Sequence, residues 1–325
     1  MKLITFDDFI DLYSKSKQRG FDYLISKFSF DKLSRTKSAF NQEEIIHSNW
    51  WIVPMVRKRW NKLISGNENI IYEDFLVKEV LSTNKEIRML SVGSGVCSHE
   101  LVLAKNPQFK EILCVDLAQN RLDEAKKIAD KNGLNNIRFE CANIYDHLKK
   151  GVQYDIIFFH QSLHHFDTIN EFISDTICNA LSPNGKLIIN EFVGSTRLQF
   201  PKKQIKAINE ALKIVPKTYR KRFKTNLYKN KFYGSGIIRM IQADPSECID
   251  SKNIMPSIYK HFDTIVERPY GGNILMNVLK DISHHFVEID NKKESVLKEL
   301  FEFEDNYLKS NSSDFIFGVY QKKSL

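Results

Sequence analysis

From Ile87 to Val193 the chain repeats one grammar: a strand-length apolar run, then a stretch of helical period. The runs are IRMLSV (87–92), EILCVD (111–116), NIRFECA (136–142), YDIIFFH (154–160) and GKLIINEFV (185–193). Between them lie SHELVLAKN, AQNRLDEAKKIADKNG and TINEFISDTICNALS, with helix-stop signals at Asn132-Gly133 and a turn at SPNG (182–185). Strands that alternate with helices pack as a parallel sheet covered on both faces and joined by right-handed crossovers. The expected fold is therefore a doubly wound, Rossmann-like α/β domain.

The flanks read differently. Residues 1–84 form an expected N-terminal helical cap, carried by FDDFIDLYSK, FDYLISKF, NQEEIIHSNWWIVPMVRKRWNKLI and IYEDFLVKEVL, all with apolar residues at three-to-four spacing. Residues 85–325 form the main domain, interrupted after the fifth strand by a basic, mostly helical insertion at 195–256. Beyond it come a strand FDTIVERPYGG (262–272), a helix NILMNVLKDISHHF, a second helix over 291–309, and a closing strand DFIFGVYQKK (314–323).

At 325 residues and 42% apolar the chain can bury a large core, and no run reaches the roughly 18 apolar residues of a membrane span. The N-terminus MKLITFDDFIDLYSK places acids where a signal peptide would be basic, so a cytoplasmic protein is expected. Five cysteines without a C-x-x-C pair suit reduced, buried thiols and no metal site. The net charge of +8 is concentrated: residues 201–231 hold eleven Lys and Arg against Glu210 alone. Such a field attracts phosphates, carboxylates or acidic polymers. An anionic small molecule or glycan is the expected partner. Aromatics interleave sparsely there, which disfavours nucleic acid.

The first strand ends in SVGSGVCSHE. Gly93, Ser94 and Gly95 make a tight strand-to-helix turn whose backbone N–H groups face a ligand at close range. Twenty-one residues after Gly95, the second strand ends at Asp116, which such a sheet sets beside the turn, where a carboxylate accepts the two hydroxyls of an adenosine ribose. Ser98 stands where a dinucleotide fingerprint has its third glycine, which disfavours a nicotinamide oxidoreductase or epimerase. Asn143 or the Ile144 backbone, after the third strand, is placed to meet an adenine edge.

These segments, LSVGSGVCS, CVDLAQNRLDEA, FECANIYD, YDIIFFHQSLHHF and LSPNGKLIINEFVG, resemble the class I S-adenosylmethionine-dependent methyltransferases over about residues 86–194. The flanks SNWWIVPMVRKRWNKLISG and ADPSECIDSKNIMPSIYKHFDTIVERPYGGNIL resemble more weakly a branch that accompanies glycan and surface-polysaccharide biosynthesis. The resemblance implies a seven-stranded sheet in the order 3-2-1-4-5-7-6 with the last strand antiparallel. It also implies cofactor contacts at Gly93, Gly95, Asp116, Leu117, Asn143 and His160. The sequence departs from the family where Ser91 replaces an acid, Cys97 a glycine and Asn143 an aspartate.

A sulfonium methyl is already electrophilic, so the protein must hold a nucleophile in line and take its proton if it is a hydroxyl. His164 and His165, one turn beyond the fourth strand, and Glu191, at the tip of the fifth, are the candidate catalytic groups, since an imidazole is suited to base chemistry at neutral pH. Capping and backbone bonding are the structural alternatives for either histidine, and a metal held by His160, His164 and Glu191 is a weaker one. Tyr270, Asn273 and Arg197 are candidates for the acceptor pocket. Trp50, Trp51 and Trp60, near His47, would either cover the cofactor or fill the core of the cap. The expected activity is methyl transfer to a hydroxyl of a sugar, nucleotide-sugar or glycan. The rivals are methyl transfer to nitrogen or RNA, the nicotinamide enzyme, and a catalytically silent adaptor that binds acidic polymers.

Overall fold

The computed structural model describes residues 2–19, 48–83 and 85–323. The expected segments FDYLISKF and NQEEIIH, with His47, lie outside the described residues.

Seven strands form one mixed sheet in the order β3-β2-β1-β4-β5-β7-β6. They are β1 (Ile87–Val92), β2 (Phe109–Asp116), β3 (Ile137–Cys141), β4 (Tyr154–His160), β5 (Leu181–Phe192), β6 (Phe262–Gly271) and β7 (Phe315–Lys322). β1 to β5 pair in parallel, and β7 runs antiparallel to both β5 and β6. Successive buried residues point to opposite faces, as the pleat requires. Met89, Cys114, Phe158 and Ile188 pack in one apolar layer, while Leu90, Val115, Ile157 and Ile189 pack in the other. The centres of these four strands are therefore largely apolar on both sides, because each face packs in a core layer.

β5 begins earlier than its apolar run. Ser182–Gly185, expected as a turn, lie within the strand as a bulge: Tyr154 pairs with Leu181 and Ile156 already with Lys186. The helix Pro54–Ser65 starts with proline at its first position and ends at Gly66, whose left-handed φ of 83° lets its N–H return to Lys62 O. Asn291–Leu308 is capped by Asp290, which accepts from the Lys292 and Lys293 N–H groups at 2.9 Å. No helix among the described residues is long and apolar enough to cross a membrane.

Two expectations from composition need correction. Cys141 is exposed and Cys178 half-buried, so not all thiols are in the core. Cys141 sits in an edge strand, with one face open. The charge of 201–231 is partly consumed within the fold. Arg222 pairs with Asp281 at 2.5 Å, Arg220 Nε donates to Val215 O at 2.6 Å, and Lys229 Nζ donates to Asn277 O and Lys280 O at 2.5 and 2.7 Å. Burial, aided by the Arg222 charge, pushes Lys229 down to about 7. The N-terminal helix Phe6–Arg19 docks on this region: Asp7 accepts from the Tyr233 and Gly234 N–H groups, and Asp11 pairs with Arg239.

Candidate active site

The C-terminal tips of β1, β2 and β4 meet where the strand order reverses, the place at which open α/β sheets bind ligands. A cavity of about 560 Å³ opens there, lined by the Gly93–Gly95 turn, Asp116, Leu117, Asn143, Ile144, His160, Gln161, Ser162 and His165, with Trp51, Phe166 and Ser246 at its wall. This volume suits a nucleoside-sized ligand. All eight residues expected to touch cofactor fall on this wall.

The turn is built for close approach. Gly93 has φ of 68°, and a Cβ there would lie 2.7 Å from Ser162 Cβ. Above Gly95, with φ of 55°, a Cβ would meet nothing within 4 Å. Asp116 ties the two strand ends together, its Oδ2 accepting from Gly95 N–H and its Oδ1 from Ala118 N–H, both at 2.8 Å. A carboxylate offers about four acceptor sites. Two stay available for a vicinal diol. Asn143 caps the next helix by accepting from Tyr145 N–H at 3.0 Å. Cys97, where a glycine would be easiest, adopts a left-handed φ of 53° without one.

Along this wall runs a polar stack whose links the sequence reading missed. His160 Nδ1 bonds the Tyr72 hydroxyl at 3.0 Å, and its ring lies 3.7 Å from that of His99. His99 in turn holds Glu73 at 2.5 Å, and Glu100 accepts from Ser91 Oγ at 2.5 Å. Burial and the His99 charge hold His160 well below the ordinary imidazole range. Burial alone would lower His99, but Glu73 and then Glu100 raise it. The partners come from segments up to 88 residues apart, and only His160 carried a local signal.

The histidine pair beyond β4 divides its labour. His164 is buried and is not among the residues that line the cavity: its Nδ1 bonds Glu191, itself fully buried, and its Nε2 lies 3.9 Å from Glu247. Burial opposes the charged ring, yet Glu191, Glu247 and Asp244 push it up to about 9. His164 is thus a cation at neutral pH. Glu191 also accepts from the Ser162 and Leu163 N–H groups at 2.8 and 2.7 Å, which fixes the turn that carries both histidines. His165 lines the cavity, bonds Ser246 Oγ through Nδ1 at 3.0 Å, and is lowered by burial and by the His164 charge. It is the neutral ring of the pair. His160, His164 and Glu191 are not gathered as one donor set. His164, His165 and Glu247 are, with ligand atoms within 4.8 Å, but one nitrogen of each ring is committed to Glu191 or Ser246.

The remaining sequence candidates lie off the wall. Tyr270 is buried and donates to Asn190 Oδ1 at 2.6 Å, and Asn273 bridges Ser312 O and Asp314 N–H. Arg197 Nη1 donates to Glu247 O at 3.1 Å. Trp50 and Trp60 pack in the core at 4.6 Å, whereas Trp51, half exposed, reaches the cavity. No basic residue of 201–231 is on the wall.

A glycine turn and a carboxylate at the switch point, with imidazole groups on the same cavity wall, form a candidate ligand site of an α/β fold. The family is settled by comparison: the methyltransferase domain profile matches residues 83–268, and the chain belongs to that family. It is an enzyme of that family. Among solved structures it is similar to geranyl diphosphate C-methyltransferase from Streptomyces coelicolor A3(2), solved with Mg2+, geranyl diphosphate and S-adenosyl-L-homocysteine, at 9% identity over 91% of this chain and 99% of that one, TM-score 0.48. It is also similar to a SAM dependent methyltransferase from Aquifex aeolicus, at 18% identity over 46% and 76%, TM-score 0.33. No curated protein matches the sequence.

Asp116→Ala is expected to weaken S-adenosylhomocysteine binding roughly 10- to 150-fold, the loss of about 1.5–3 kcal/mol from charge-assisted hydrogen bonds. Titration calorimetry checks this. An unchanged affinity would remove the carboxylate from the cradle.

Proposed function

We propose that this methyltransferase moves a methyl group from S-adenosylmethionine to a hydroxyl of a sugar, nucleotide-sugar or glycan, with His165 as the general base. When bound, the donor supplies an electrophilic methyl on a sulfonium. The chain's part is to hold the acceptor oxygen in line and take its proton. The observation that carries this reading is His165 on the cavity wall, held through Nδ1 by Ser246, beside a buried His164 tied to Glu191; burial and the His164 charge lower the His165 pKa. Only the neutral ring accepts a proton at neutral pH. His165 would take the proton of the acceptor hydroxyl as that oxygen is methylated, and would return it to solvent afterwards. Trp51, an exposed indole at the cavity, offers an apolar face to a sugar ring. The acceptor is anionic in this reading, which the excess of Lys and Arg over 201–231 supports.

The test is incubation of the full chain with methyl-tritiated S-adenosylmethionine and a panel of monosaccharides, nucleotide-sugars and oligosaccharides. Labelled, alkali-stable methyl ethers are expected. Label found only on nitrogen or carboxylate acceptors would overturn the reading.

A further inference from the structure

His165 does not stand alone at the cavity. Its Nδ1 lies 3.0 Å from Ser246 Oγ, and that hydroxyl donates to Asp244 Oδ1 at 2.6 Å. A serine hydroxyl has one proton. If it goes to Asp244, the oxygen meets Nδ1 only as an acceptor, and Nδ1 must carry hydrogen. Asp244 cannot do this directly, because its Oδ2 is 3.9 Å from Nδ1, beyond hydrogen-bond range. Two backbone donors support the arrangement: Ser246 N–H donates to the Asp244 carboxylate at Oδ1, 2.9 Å away, and Ile249 N–H donates to His164 O at 3.1 Å. Asp244 and Ser246 are buried.

We propose that Asp244 and Ser246 are positioning residues that lock His165 in the Nδ1–H tautomer, leaving Nε2 as the lone-pair nitrogen that receives the acceptor's proton. The claim rests on the assignment of His165 as base and goes beyond it, since an imidazole left to solvent samples both tautomers and presents the wrong nitrogen part of the time. The charged groups that face the ring are His164, Asp244, Glu247 and Glu191, with Arg197 held against the Glu247 carbonyl. Among them the Asp244 carboxylate, relayed by one hydroxyl, chooses the nitrogen, and the others set how readily the ring charges.

The test needs no acceptor. Full-length protein carrying 15N-histidine, saturated with S-adenosylhomocysteine, is examined by long-range 1H–15N correlation, and the His165 signals are assigned by their loss in His165→Ala. The expected wild-type pattern is protonated Nδ1 with bare Nε2. In Asp244→Ala the hydroxyl loses its acceptor and turns to donate to Nδ1, so the pattern should invert to Nε2–H. Ser246→Ala should average the two forms, and Ser246→Thr should restore the wild-type pattern. A wild-type Nε2–H ring, or signals that ignore all three substitutions, overturns the lock. The base assignment fails separately: if His165→Ala keeps full methyl transfer while the tautomer is as stated, only the catalytic role falls.

Discussion

Glu191→Ala is expected to destabilise the fold by about 3–5 kcal/mol, the usual loss when one partner of a buried ion pair is removed. The side chain is fully buried, and its two oxygens serve four donors: Ser162 N–H and Leu163 N–H on one, His164 Nδ1 and Phe192 N–H on the other. Deletion leaves three buried backbone N–H groups unpaired, each costing about 1–3 kcal/mol when no water reaches it. His164 adds to the loss, since its buried ring then keeps only the weaker influence of Glu247, 3.9 Å from Nε2, and of Asp244. The turn 161–166 should then loosen, and since Ser162 Oγ holds Val92 O at 2.6 Å beside Gly93, cofactor affinity should fall with it. Denaturant unfolding followed by circular dichroism measures the first effect, and calorimetry with S-adenosylhomocysteine the second. A change within the roughly 0.5 kcal/mol of an ordinary surface substitution would show that Glu191 does not hold the turn.

The sheet was legible because its signal is local. β1 and β4 coincide with their largely apolar runs, since a strand covered on both faces is mostly apolar along its length. The cradle was legible for a related reason: a glycine turn and a carboxylate are each strand-end features, and the topology brings strand ends together. Where local pattern and tertiary demand part, the reading fails. NILMNVLKDISHHF has one helical period, yet the structure holds two short helices, Leu275–Leu279 and Ser283–Phe286. They are separated by Asp281, whose φ of 68° no helix tolerates, and which is held there by Arg222 and by its N–H bond to Ser48 O. The histidine triplet shows the same limit. Its residue types announced a site, but their roles come from Glu191, Asp244, Ser246 and Glu247, up to 83 residues away in contacts that no spacing encodes. The acid–serine–acid run DPSE at 244–247 was the nearest available signal.

His165→Ala is expected to lower methyl transfer about 10²- to 10⁴-fold, the range of general-base catalysis by a positioned side chain, while S-adenosylhomocysteine binding is largely retained. The ring is one wall residue of the cavity, whereas the cradle rests on Asp116 and the glycine turn. The pH profile supplies a second readout. A base works unprotonated, so activity must fall as pH drops through the pKa of His165, and burial with the His164 charge places that pKa below the ordinary 6.5. The wild-type rate should therefore stay level from neutral pH down past the usual histidine midpoint before it declines. The His165→Ala rate should lack that acid limb. The direction follows from which neighbours win: Glu247, Asp244 and Glu191 favour the charged ring, but desolvation and the adjacent imidazolium outweigh them. A full rate in His165→Ala, or an acid limb that persists unchanged in it, would place the proton acceptor on another group. A wild-type midpoint above 6.5 would mean that the three carboxylates, and not the His164 cation, govern the ring.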